Sequence, residues 1–488
     1  MVARKILRPE QCVVLDGKPC RACTEDIELE KEKKELEIKI KKIYIRRRAI
    51  RTAMNENHDP FIHKFPPEVA SHIFIQYSPP SERFDRPHRN SPLYLGAVCQ
   101  KWRQLAWATP QLWSSFQICI PPSHPHQAQF ILEWLDRSAS LPLTIRLHSY
   151  IRHPENKDKD GRDEVINLLN KYSARWHDMH VELPAHLLER LSGSSQENIL
   201  RRLVLHIFNS PPSHVSKFSM KSKPSPTELT LKRVGLPYVD IVWNNLTMAS
   251  VSDISVDDCF ELIRRAPLLE TLRLESIDPS SSVLPISNTR VICPHLRSLE
   301  LLRIREKIVV TGILDSLCFP SLELWIYDNL SIPLDNMISF IEYSSSCLKI
   351  FKIDIYDLDY HQVTGLLPHL PSLEFLELRS AWVHEPPIAE VISLLCASAQ
   401  SPLYLPYLKS LEFTYQYDFP WESLPQIFAL PRWQSLRVRV KPSFKFAVDD
   451  KDIKLLLELG EKGFDFRVVK DGKDWLQAHM KRQKTRHL

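Results

Sequence analysis

The chain has 488 residues, 43% of them apolar and 25% charged, with ten glycines and ten cysteines, which fits an ordinary globular protein of two to four domains or one repeat array. Its net charge of +5 sits at one end: residues 1–57 hold 15 Lys and Arg against 10 Asp and Glu, while the remainder balances at 49 against 49, which disfavours a nucleic-acid binder with a basic main domain. No run of about eighteen apolar residues, no apolar leader in MVARKILRPEQCVVLDGK and no dinucleotide-binding, P-loop, serine-hydrolase or zinc-protease signature occurs, so the sequence predicts an intracellular protein, cytoplasmic and/or nuclear, with no catalytic residue, metal, cofactor or membrane partner.

Residues 1–23 read as irregular. Cys12, Cys20 and Cys23 cluster there, but a C-x-x-C without a second pair does not make a zinc site, and the other cysteines are dispersed in the manner of reduced thiols. From Thr24, an expected N-cap, to about Asn55 the chain predicts one long helix. Leu29, Leu36, Ile43 and Ile50 recur seven apart, Ile40 and Met54 hold alternate seam positions, and Lys33 and Arg47 interrupt the seam. Seven acidic residues fall between 25 and 37 and seven basic ones between 39 and 51, an order that suits the helix dipole. Two readings stay open: a solvated helix docked on the segment after it, or a coiled coil that dimerises. Arg46–Arg48 could serve nuclear import, or be solvated helix surface.

The stretch FIHKFPPEVASHIFIQYSPPSERFDRPHRNSPLYLGAVCQKWRQLAWATPQLWSSF organises the chain. Pro66 and Pro67 suit a helix's first turn, and Phe65, Val69, Ile73 and Tyr77 follow at four-residue spacing as one apolar stripe. Ser91 and Pro92 read as the N-cap and first residue of a second amphipathic helix that carries Leu95, Val98, Cys99, Trp102, Leu105 and Ala106 and ends at Ala108 or Thr109, before Pro110. Leu112, Trp113 and Phe116 form a third apolar cluster. About fifty residues make a small core, so part of this apolar surface needs a neighbour or partner.

In wording and order, FPPEVASHIF, then L-x-x-V-C-x-x-W-R-x-x-A, then P-x-L-W, resembles an F-box. That resemblance implies docking onto the Skp-type adaptor of an SCF ubiquitin ligase, and through it a cullin, by the matching positions Pro66, Pro67, Glu68, Val69, Ile73, Phe74, Leu95, Val98, Cys99, Trp102 and Arg103. Phe65 stands where the family usually has Leu, and SPPSERFDRPHRNSP is longer than the usual connection.

After FQICI, a strand, and an amphipathic helix running into LPLTIRLH, the sequence repeats itself. PLLETLRL, PHLRSLEL, PSLELWIY, PSLEFLEL, PYLKSLEF and PRWQSLRV share one pattern of Pro followed by apolar positions three, six and eight, and LRRLVL and LKIFKI are versions without proline. The last apolar positions, 274, 301, 327, 353, 378, 413 and 438, step by 25 to 27 with one step of 35. Pieces such as DDCFELIRRA, LDNMISFIEYSSSCL, IAEVISLLCASA and SLPQIFAL supply helices between strands, and where a copy carries a proline it ends the helix and begins the strand. The spacing resembles a leucine-rich repeat array over about 140–470. It departs from that family where Ile277, Ile304, Tyr356, Ala381 and Gln416 replace the turn Asn or Cys. His177 and His180 beside a strand read as surface or satisfied core residues, not as metal ligands. A helix, strand and terminal helix after 449 read as an end cap.

The expected fold is therefore α+β: a tail and long charged helix (1–57), a short helical F-box (58–118) and an irregular α/β repeat solenoid with a cap (119–488). The intervening strand residues are expected to share one concave face, and Arg273, Glu300, Trp325, Phe375, Glu377, Lys409, Glu412 and Arg437 are the candidate contacts to an unidentified protein substrate. The resemblance implies a non-catalytic substrate receptor of a ubiquitin ligase. The alternatives are a repeat scaffold that engages no ligase, or an enzyme whose His, Asp and Cys converge on that face.

Overall fold

The computed structural model describes residues 20–478 apart from 59–60, 62–63, 79–81, 84–90, 121–125, 150–158, 209–216, 280–289, 345–346, 355–359, 381–387, 416–418, 443–447 and 471–472. Cys12, most of the connection between the two small helices, the turn positions Tyr356, Ala381 and Gln416, and the basic tail lie outside the described residues. The chain divides into two compact units, residues 1–116 with 132–141, and residues 117–131 with 142–488.

In the first unit, helix α1 runs Arg21–His58. It begins three residues before the expected Thr24 cap, whose hydroxyl instead donates to the Cys20 carbonyl (3.2 Å). Its ten large apolar side chains from Ile27 to Met54 are between 43% and 65% exposed, so the helix contributes almost nothing to a core. Helix α2 is Pro67–Tyr77, led by the two prolines as expected.

The expected single helix over 92–108 is two. Pro92–Val98 (α3) starts on Ser91, whose Oγ accepts from the Leu93 N–H (3.2 Å), and Gln100–Trp107 (α4) restarts after Cys99. Cys99 takes an extended conformation, φ −155° and ψ 174°, and its Sγ accepts the Trp102 N–H (3.4 Å), so the thiol acts as an N-cap. Arg103 Nε donates to the Gly96 carbonyl (2.8 Å) and satisfies one of the acceptors the break exposes. After a short 3-10 turn at Pro110–Leu112, Trp113 is fully buried: its Nε1 donates to the Ala106 carbonyl (2.8 Å), and its ring lies edge-on to Trp134, 4.6 Å between centroids. Arg137 lies over the rings of Trp107 and Trp113 at 5.1 and 4.9 Å. Residues 132–141 thus complete a core that the sequence assigned to 61–116 alone.

In the second unit, the strands Leu143–Ser149 (β2), Trp176–Leu183 (β3), Arg202–Ile207 (β4), Glu228–Lys232 (β5), Met248–Ser252 (β6), Thr271–Glu275 (β7), Ser298–Leu302 (β8), Leu324–Asp328 (β9), Ile350–Asp354 (β10), Phe375–Ser380 (β11), Ser410–Tyr415 (β12), Arg437–Pro442 (β13) and Phe466–Lys470 (β14) follow Ser115–Ile120 (β1). They stand in the sheet in the order they have in the chain, and every neighbouring pair from β2 to β14 is parallel. A parallel sheet whose strands keep their chain order is a solenoid: each strand and its return path form one coil that packs on the next. The returns include the expected helices Val256–Arg265, Leu334–Ser344, Ile388–Ser398 and Leu424–Phe428, and one more at Lys307–Ser316 that buries Val309, Val310, Ile313 and Leu314.

Period-2 alternation sends one side of each strand inward. Leu229, Ala249, Leu272, Leu299, Trp325, Phe351, Leu376, Leu411 and Val438 stand in one register row and are each at most 1% exposed. Each fully buried Leu or Phe in such a row contributes about 1.5–3 kcal/mol, which no isolated coil could realise without its neighbours. Few glycines serve the turns. Arg233, Asp253, Ser276 and Arg303, each directly after a strand, hold φ between 51° and 59°. Their N–H groups donate to the closing carbonyls of the next strand, those of Ser252, Glu275, Leu302 and Asp328. Asn329, 2% exposed, fills the structural role of the missing turn Asn: its Oδ1 accepts the Ile304 N–H (2.6 Å) and its Nδ2 donates to the Leu301 carbonyl (3.1 Å).

Candidate protein-interaction surfaces

The helical unit sorts its apolar residues into two sets. Ala70, Phe74, Leu95 and Ala106 are buried, and Phe74 meets Trp102 and Phe61 at centroid distances of 4.9 and 5.7 Å. Phe65, Val69, Ile73 and Tyr77 on or beside α2 are instead 39–52% exposed, and Tyr94 and Val98 on α3 are 52% and 53% exposed. The i, i+4 stripe read from the sequence is therefore the outward one. The inner face of α2 lies about 100° round the helix, at Ala70 and Phe74.

This divides the candidate docking residues. Val69, Ile73 and Val98 are presented, Pro66, Pro67, Glu68 and Arg103 are exposed around them, and Trp102 is half-buried. Phe74, Leu95 and Cys99 are corrected to interior positions at 1%, 4% and 9% exposure, because the small unit uses them as its own core. Tyr77 and Tyr94 belong to the exposed set. Their amphipathic rings, one end apolar and the other wet, suit an interface.

On the repeat unit, the strand residues that alternate with the core carry a charged ladder. Arg273, Glu300, Ile326, Lys352, Glu377, Glu412, Arg439 and Arg467 occupy one register row. Arg273 pairs with Glu300 (3.2 Å) and Glu275 (2.9 Å), and Arg303 also pairs with Glu275. Glu377 and Glu412 are only 4% and 2% exposed, so these two candidates lie beneath their neighbours. Lys352 (3.1 Å), Arg379 (2.8 Å) and the Thr414 hydroxyl (3.2 Å) enclose Glu377, and Lys441 pairs with Glu412. Burial works against the Glu377 charge, but the Arg379 hydrogen bond and the Arg379 and Lys352 charges hold its carboxyl below the usual range. Two residues beyond Lys352 on β10, Asp354 is pushed up to about 7 by burial, then by the Asp328 charge, against the pull of Arg379; protonated, it donates to the Asp328 carboxylate.

Trp325 is corrected outright. It is fully buried on the inner side of β9, 5.3 Å from Phe340 and 5.4 Å from Phe351 between centroids, because in PSLELWIY it holds the core phase of the strand and Leu324 and Ile326 hold the face. Lys409 precedes β12 and is bound to Glu374 (2.6 Å), whose carboxyl it holds below the usual range by that hydrogen bond. Phe375 is half-buried with the Lys352 ammonium 5.5 Å above its ring, and Arg437 pairs with Asp465 (3.0 Å). The sequence reading passed over Lys352 and Arg439, which stand in register with Glu377 and Glu412, and Arg379, two residues beyond Glu377 on the same strand. His180 Nε2 lies 3.0 Å from Glu182 Oε1, and among the described residues no three His, Cys, Asp or Glu converge as a metal site. No helix among them is long and apolar enough to cross a membrane.

No protein-family model matches the chain, and no curated protein matches it. Among solved structures it is similar to the TLR13–ssRNA13 complex, with 14% identity and a TM-score of 0.32, over 67% of this chain and 48% of that one, so it spans about half that protein's length. The repeat architecture rests on the strand order and register described above.

Proposed function

We propose that the chain is a non-catalytic protein-recognition subunit: the helical unit docks on a Skp-type adaptor of a cullin ubiquitin ligase, and the ladder face of the repeat unit holds the protein to be modified. One observation carries the docking half. Six large apolar side chains, Phe65, Val69, Ile73, Tyr77, Tyr94 and Val98, stay 39–53% exposed on or beside α2 and α3, whose Ala70, Phe74 and Leu95 are buried. Burying the exposed half of each is worth about 0.7–1.5 kcal/mol, or roughly 4–9 kcal/mol together, while a micromolar complex needs about 8 kcal/mol net of association costs. The patch alone therefore reaches only weak binding, and the polar rim of Glu68 and Arg103 is needed to complete it.

The half-buried Phe375 and the cations Arg379, Arg439 and Lys441 are the recognition elements of the other surface, and they favour a partner with acidic and aromatic groups. Holding that partner near the charged enzyme raises its effective concentration, which is the whole of the subunit's contribution to rate. The test is co-expression with a Skp-type adaptor. The wild type is expected to co-purify with it, a Val69→Asp, Ile73→Asp variant is expected to lose it, and Phe375→Ala is expected to keep it. A wild type that never retains the adaptor, with its folding confirmed by circular dichroism, would leave the chain a scaffold outside the ligase.

A further inference from the structure

Helix α1 is about 57 Å long at 1.5 Å per residue, and its seam residues Leu29, Leu36, Ile43 and Ile50 are 47–58% exposed. Such a seam needs a cover, and the charges decide which one. On the heptad that makes these residues one seam position, Lys33, Ile40 and Arg47 hold the other, Glu25, Glu32, Lys39 and Arg46 flank one side, and Glu30, Glu37 and Arg51 flank the other.

Two copies side by side in parallel would set Glu25 against Glu30, Glu32 against Glu37 and Arg46 against Arg51, all repulsive. Reversing one copy places the acidic half of each helix along the basic half of the other. Glu32 then faces Arg46 and Lys39, Glu30 faces Arg51, and Leu36 meets Ile40 in the two central layers. In that register residue 29 lies opposite 47 and residue 33 opposite 43, so the two charged seam positions sit against leucine or isoleucine, where their stems pack and their heads reach water.

A second feature asks for the same occupant. Where α1 passes α3 and α4 there is a cleft of about 830 Å³ walled by five cations, Arg47, Arg48, Arg51, Lys101 and Arg103, and by no carboxylate. Among the described residues Arg47, Arg48 and Arg51 make no ion pair. The reversed helix of a second copy carries Glu25, Glu28 and Glu30 along that wall. We infer that the chain self-associates through α1 as an antiparallel pair, with the acidic half of one copy against the basic half and cleft of the other. This holds whether or not the helical unit binds an adaptor.

The full-length chain is the test material. Light scattering is expected to show a dimer at low salt whose dissociation constant rises about tenfold or more in 0.5 M salt, as screened ion pairs require. Glu25, Glu28, Glu30 and Glu32 all changed to Lys, or Arg46, Arg47 and Arg51 all changed to Glu, are each expected to be monomeric, and an equimolar mixture of the two variants to dimerise again, which also shows that both are folded. A photo-reactive residue in place of Leu29 is expected to cross-link to residues 43–51, about 27 Å away along its own helix and therefore on another chain. A wild type monomeric at every salt concentration, two variants that fail to recombine, or cross-links confined to residues 26–33 would each overturn the proposal.

Discussion

Asp354 gives the repeat face a pH dependence whose sign can be worked through. It ends β10, is 7% exposed, and its carboxyl is pushed up to about 7 from an ordinary 3.8 by burial and by the Asp328 charge. The folded chain therefore keeps this proton up to about pH 7, whereas the unfolded chain releases it near 3.8. Between those values the native state binds more protons, so stability falls as pH rises and levels off above about 7; below 3.8 both states are protonated and the contribution vanishes. The full difference corresponds to about 4 kcal/mol, and water reaching the partly exposed Arg379 reduces it to about 1–3 kcal/mol. Asn at 354 keeps the shape and offers Nδ2 as the donor to Asp328 at every pH. Thermal unfolding of wild type and Asp354→Asn should therefore diverge with pH: the variant should gain about 1–2 kcal/mol on the wild type between pH 5 and pH 8, or about 1–3 °C for a unit of this length. An advantage that is constant with pH, or larger at pH 5, would refute the assignment.

Trp325→Ala should destabilise the repeat unit by about 3–5 kcal/mol in urea titration, while Trp325→Phe should cost under about 1.5 kcal/mol, because the buried indole N–H has no partner to lose. Asn329→Ala strands the Ile304 N–H and the Leu301 carbonyl in the interior and should cost about 2–4 kcal/mol, with faster amide exchange at Ile304 as the local readout. Arg233→Gly relieves a left-handed residue and should be neutral or stabilise by up to about 1 kcal/mol, whereas Arg233→Val at the same φ of 59° should cost at least as much; the urea midpoints of the pair decide it.

The repeat fold could be read from sequence because its signal is redundant. Six copies of one apolar pattern outvote any single weak strand, and a proline opens each of those six. The reading of Trp325 as a face residue goes against that pattern. In PSLELWIY both Leu324–Ile326 and Trp325–Tyr327 are apolar pairs at strand spacing, but Trp325 and Tyr327 hold the sixth and eighth positions of the repeat, and their register with Leu299 and Leu301 on β8 sends them inward. The turn rule failed for a related reason. Asn329 sits one residue from the position where the family pattern places its turn Asn, and the structure accepts it because the acceptor it must supply belongs to the neighbouring coil.

The exposed apolar face of the helical unit was readable in composition but not in direction. Helix α2 carries apolar residues on two faces about 100° apart, Phe65, Val69, Ile73 and Tyr77 on one, and Ala70 and Phe74 on the other. A unit this small can close over only one of them. It closes over the face that holds Phe74, which Phe61 and Trp102 contact, and over Leu95 and Ala106 from the two short helices on either side of the Cys99 break. Val98, at the end of α3, stays 53% exposed. The open face is what remains after the core has taken all it can cover, and it is the face the proposed adaptor would occupy.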